Sequence, residues 1–152
     1  MSQKGEGIDL ETSLGYLLKE ASSALRAAME EVLRPLGMTV THYSCLELLA
    51  QRPGLSNSEL ARGAFVTRQS MNVLLQNLER EGHVTRPAKA PVGKVLPTRL
   101  TPLGRQNLEK ASAAVRSVEL RMLSGMTEAE RAGAFRIMKS MIRSLRDDNE
   151  GA

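Results

Sequence analysis

At 152 residues and 16.6 kDa the chain has room for one domain with a real core and not for two comfortable ones. Its 41% hydrophobic and 25% charged residues exclude wholesale disorder, and with no Trp, two Tyr and two Phe the core must be Leu, Met, Val and Ala, which favours packed helices over a large sheet. A net charge of +4 and a pI near 9.6 suit a polyanionic partner, and no apolar stretch approaches the roughly 20 residues needed to cross a bilayer.

Leu10, Leu14, Leu17, Leu18, Ala21, Leu25, Ala28, Met29, Val32 and Leu33 recur at helical spacing up to Pro35, which predicts a long first helix. A stripe that wide needs either a domain wrapped around it or a partner chain. Thr39 or Thr41 can cap a second helix over about 42–51, stopped by Arg52-Pro53-Gly54. Ser56-Asn57-Ser58-Glu59 is a capping box for a short third helix with Leu60, Ala61 and Ala64 on its buried edge. A fourth helix begins near Thr67 and buries Met71, Leu74, Leu75 and Leu78; Gly82 sits where a left-handed cap would end it. The period then changes. His83–Arg86 and Val95–Leu100 read as two short strands around the loop Pro87 to Lys94, a β-ribbon or wing. Thr101-Pro102 opens a long helix to about Met122, Gly125 interrupts it, and Thr127 to Glu130 start a last helix.

That order predicts a mainly α fold with a small β-ribbon: a winged helix-turn-helix head over about 40–100, with N- and C-terminal helices, about 8–36 and 101–147, forming a dimerisation region. The fourth helix is the groove-reading one. Its geometry turns Arg68, Gln69, Asn72, Val73 and Gln76 outward; Arg can bind guanine bidentately, Asn and Gln can pair with adenine, and Val can touch a thymine methyl. Thr67 and Ser70, at its amino end, can bind a phosphate with the help of the helix dipole. From Gly82 to Leu108 the chain has no Asp or Glu. Lys89 and Lys94 of the wing can therefore meet phosphates or enter the minor groove, with Arg86 and Arg99 at its base and Ser56 as a flanking contact.

Three stretches resemble the MarR family of transcriptional regulators: Ser56-Asn57-Ser58-Glu59-Leu60-Ala61; Val66-Thr67-Arg68-Gln69-Ser70-Met71 with Leu78 to Arg86; and Leu100-Thr101-Pro102-Leu103-Gly104. The resemblance spans about residues 10 to 145. It implies a homodimer with intertwined terminal helices that binds double-stranded DNA at a pseudo-palindromic operator, with repression relieved by a small aromatic or phenolic effector. By the family's pattern the effector pocket would recruit Tyr16, Met38, His42 and Tyr43, residues that could equally just pack the junction between the helices and the head. The wing departs from the family: Pro87 to Lys94 has neither the Asp nor the Arg of the common Asp-x-Arg tip.

Other functions find little support. No phosphate loop, nucleophile with a base, or cofactor fingerprint points to an enzyme, so neither catalysis nor a cofactor is expected. His42 and Cys45 share a helix face, but two ligands do not make a metal site. Cys45, the single cysteine, sits among leucines and reads as a buried inert thiol, with thiol-based redox sensing the distant alternative. The lone thiol and the polar start Met1 to Gly7 favour a cytoplasmic protein without a signal peptide or membrane contact. A winged-helix module that binds protein instead of an operator is the remaining alternative.

Overall fold

The computed structural model describes residues 7–86 and 98–150. Six α-helices and one two-stranded ribbon follow in order among them: α1 (Leu14–Leu33), a single 3-10 turn (Arg34–Leu36), α2 (Val40–Gln51), α3 (Asn57–Gly63), α4 (Arg68–Arg80), β1 (Val84–Thr85), β2 (Arg99–Leu100), α5 (Pro102–Met122) and α6 (Glu128–Glu150). Two compact units form, 1–118 and 119–152.

Each helix start is set by a short polar side chain that takes up an amide left without a partner in the first turn. Ser13 caps α1 by accepting from Tyr16 N, so the helix begins there and leaves Leu10 outside it. Of the two threonines before α2, Thr39 is the cap. Ser56 and Glu59 close the capping box of α3 in both directions, and Thr127 with Glu130 does the same ahead of α6.

Three helix ends share one device. Met38 N donates to Leu33 O, Val66 N to Ala61 O and His83 N to Leu78 O, each bond reaching back around a residue in the left-handed conformation. Two of those residues are Gly37 and Gly82, for which that conformation carries no steric cost. The third is Phe65, at φ 59° and 87% exposed, in the turn between α3 and α4.

In the first unit Leu33, Cys45, Leu46, Leu60, Met71, Leu75, Leu78 and Val84 are fully buried, joined by Leu108, Ala111 and Val115 of α5. Full burial of such side chains stabilises by roughly 1.5–3 kcal/mol each before entropy is counted. The antiparallel ribbon pairs Val84 with Leu100 and Thr85 with Arg99. It is shorter than the sequence pattern predicts: the His83 amide is spent on the end of α4, so the ladder starts one residue later, and Val95 to Pro97 lie outside the described residues. The second unit is the end of α5, a turn in which Arg131 donates to Leu123 O at 3.0 Å, and α6. No described helix is long and apolar enough to cross a membrane.

Candidate nucleic-acid interface

Helix α4 is held by one face and free on the other. Met71, Leu75 and Leu78 are fully buried, Leu74 half-buried, while Arg68, Gln69, Val73 and Gln76 are exposed. Residues three and four apart share a helix face, which separates the two sets. At the amino end Thr67 Oγ1 accepts from Ser70 N at 3.0 Å and donates to Ser70 Oγ at 2.9 Å. The Ser70 hydroxyl hydrogen is thereby left to point at an outside acceptor.

Asn72 departs from the sequence expectation. It is half-buried, and its Oδ1 accepts from Asn57 Nδ2 at 2.9 Å, a bond from the start of α3 to the middle of α4. Bidentate adenine recognition needs the amide oxygen and nitrogen together, and one lone pair of that oxygen is already engaged. Asn72 thus links the two helices. Ser56 is exposed, with its hydroxyl oxygen accepting from the Glu59 amide.

At the ribbon Arg99 is exposed on β2 and Arg86 half-buried just past β1. Lys89 and Lys94 lie outside the described residues. The ribbon is anchored to α5 through Thr101, whose hydroxyl donates to Gly82 O at 2.6 Å and accepts the Gly104 amide at 3.0 Å. His83 O accepts the Thr101 amide at 3.0 Å, and a Cβ on Gly104 would overlap that same carbonyl. In the sequence Gly104 stands out only as part of a motif. Glycine is what lets α5 approach the ribbon.

The four residues expected to form an effector pocket differ in their surroundings within the single chain. Met38 is buried in the core and Tyr16 stands exposed in the first turn of α1. Tyr43 lines an open cleft of about 210 Å³ with Ser44, Glu47, Gln51 and Gly63. Burial works against the Glu47 carboxylate there, but hydrogen bonds from Ser112 (2.7 Å), Gln51 (2.6 Å) and Tyr43 outweigh it and hold its pKa below the usual range. His42 is not part of this lining and lies beside Glu81 and His83, with ring centroids of the two histidines 5.6 Å apart. Burial, reinforced by His83 and opposed by Glu81, lowers the His42 pKa. Cys45, one turn further along α2, has a fully buried thiol that donates to Met71 Sδ at 3.7 Å and whose pKa is pushed up to about 12 by burial.

A short helix, a tight turn, a second helix with a polar outward face and an antiparallel ribbon behind it define a winged helix-turn-helix protein. Residues 36–93 match the model of the MarR family. Over 142 residues, 93% of this chain and 99% of the relative, the sequence is 41% identical to the HTH-type transcriptional repressor Rv2887 of Mycobacterium tuberculosis. The chain belongs to the MarR family. Crystal structures of Rv2887 in complex with salicylic acid and in complex with DNA match the fold with TM-scores of 0.72 and 0.71, at 41% and 39% identity. Each match covers 86% of this chain, and 96% and 98% of the respective solved chains.

Proposed function

We propose that this protein is a sequence-specific DNA-binding transcriptional repressor that works as a homodimer on a pseudo-palindromic operator. The observation that carries the reading is α4: a helix buried along Met71, Leu75 and Leu78 presents Arg68, Gln69, Val73 and Gln76 to the outside, next to a ribbon bearing Arg86 and Arg99. In this arrangement α4 enters the major groove and α3 braces it. Arg68, Gln69, Val73 and Gln76 read base edges, Thr67 and Ser70 meet the phosphate at the amino end, and Arg86, Arg99, Lys89 and Lys94 hold the flanking backbone. Ser56 stays at the edge of this footprint as a backbone-positioning residue.

The relative Rv2887 has been crystallised with DNA and with salicylic and p-aminosalicylic acids, which supports a duplex partner and an aromatic acid as effector here. Tyr43 and its cleft are where we place the effector's first contact. The reading includes no catalytic step and no cofactor, and puts the protein in the cytoplasm with the DNA it regulates.

Binding to genomic duplex fragments, measured against salt, tests the reading. Contacts to about six phosphates make affinity fall by roughly 10³ between 50 and 200 mM salt. An affinity that ignores salt, or no duplex binding at all, would leave a winged-helix module for protein partners instead.

A further inference from the structure

The chain contains two histidines, 41 positions apart in sequence, and the fold sets them side by side. His42, on the first turn of α2, is 8% exposed, and its Nε2 is buried without a hydrogen-bond partner among the described residues. His83, between α4 and β1, has its Nδ1 in the same condition, 3.5 Å from Glu81 Oε2 but without a hydrogen bond to it. A buried polar atom with no partner costs about 1–3 kcal/mol, and folded proteins leave few of them. One ring nitrogen from each histidine and a carboxylate oxygen of Glu81 lie within 4.8 Å of one another.

We propose that His42 Nε2, His83 Nδ1 and Glu81 Oε2 bind a divalent transition-metal ion of the zinc type. Two imidazoles and one carboxylate are a donor set that suits Zn²⁺, with a fourth position left for water. Tetrahedral coordination at the usual bond lengths places ligand atoms about 3.3–3.5 Å apart, within reach of small side-chain rotations here. Glu81 is 56% exposed on its side chain and opens the site to solvent, which supplies a way in.

The surroundings fit a ligand. Asn107 on α5 holds the other nitrogen of His83, Nε2, at 2.9 Å. It is Nδ2 that faces the ring; a half-turn of the amide would put its oxygen there instead, accept the Nε2–H and leave the Nδ1 lone pair free for an ion. Such an outer partner commonly fixes the tautomer of a metal-binding histidine. The wing sequence Pro87 to Pro97 contains no His, Cys, Asp or Glu, so the three ligands all come from described residues. An ion held there would tie α2 to the junction of α4 and β1, where the groove-reading helix passes into the ribbon.

The test uses full-length protein freed of metal with a chelator, and needs no DNA. Zn²⁺ titrated in competition with a chromophoric chelator should bind at one ion per chain, and Co²⁺ should give the visible bands of a tetrahedral site. On the wild-type protein, Zn²⁺ should shift the ¹⁵N resonances of His42 Nε2 and His83 Nδ1 far more than those of the other ring nitrogens. Glu81→Gln, at an exposed side chain, should weaken binding about tenfold or more, and His83→Gln by at least about 100-fold. Unshifted ring nitrogens, or an affinity that neither substitution changes, would overturn the proposal. Water bridging the two rings would then be the occupant.

Discussion

Gly104 shows how much one missing methyl can carry. The third residue of α5 lies against the His83 carbonyl, which accepts the Thr101 amide, so an added Cβ meets backbone and not a yielding side chain. Gly104→Ala should therefore cost about 1–3 kcal/mol, as overpacking does, despite the better helix propensity of alanine. Urea unfolding would register this as a lower midpoint with an unchanged slope; an unshifted midpoint would mean that α5 can move away freely. Cys45 makes the opposite case, a reactive residue type made inert by its site. With the thiol fully buried and its pKa pushed up to about 12, the thiolate fraction at pH 8 is about 1 in 10⁴, before access is considered. A chromogenic disulfide reagent should leave the native protein unmodified while reacting at once in denaturant. Rapid native labelling would reopen thiol sensing, the alternative that sequence alone could not close. Phe65 differs again: its left-handed backbone and bare ring stand where the other two helix ends have glycine, and local strain of this kind gathers at functional surfaces.

At the scale of elements, α4 separates two jobs that its sequence pattern presents as one. Arg68 is exposed with no partner recorded among the described residues, whereas Asn72 is tied to Asn57. Arg68→Ala should relax preference at one base pair by about 1–3 kcal/mol while leaving the fold's stability alone. Asn72→Ala should lower stability, because it strands the half-buried Asn57 amide, and should weaken binding to all sequences alike. Operator variants assayed beside thermal melts distinguish the two; a base-specific effect from Asn72→Ala at unchanged stability would restore it to the readers. The division also marks what the sequence makes legible. Caps and periods are local: Ser56 with Glu59, Thr67 three residues before Ser70, and the i, i+3, i+4, i+7 spacing of Met71, Leu74, Leu75 and Leu78 each state their role within one or two turns. The Asn57–Asn72 bond, the Asn107–His83 contact and the meeting of His42 with His83 join residues 15, 24 and 41 positions apart, and only the packed fold creates them. For the same reason the outward face of α4 could be read in advance but the fate of one residue on it could not. The grouping of the expected pocket residues rests on likeness to a family and not on any local pattern.

At the scale of the whole molecule, the question is what covers the apolar surface that each unit leaves bare. Among its described side chains α6 buries none, yet Phe135, Met138, Ile142 and Leu145 follow one another at 3, 4 and 3 residues along one face, all exposed. In the other unit, Leu14 and Leu17 are exposed at the start of α1, although the end of that helix is buried at Leu33. Contiguous apolar rows of this length are uncommon on monomers, and a second copy of the chain offers an equal row of the same kind. Light scattering at micromolar concentration should therefore give twice 16.6 kDa. Ile142→Glu, on a side chain that is exposed in the single chain and so not needed for its folding, should shift the population toward 16.6 kDa while the helical circular dichroism signal persists. The same variant should bind a two-half-site operator no better than a single half-site. Two linked heads gain affinity because the second docks at high effective concentration, commonly by 10² or more, and separated heads forfeit that gain. A wild-type monomer at these concentrations would refute the dimer outright. A dimeric Ile142→Glu variant with full operator affinity would move the interface away from α6 and onto the exposed start of α1.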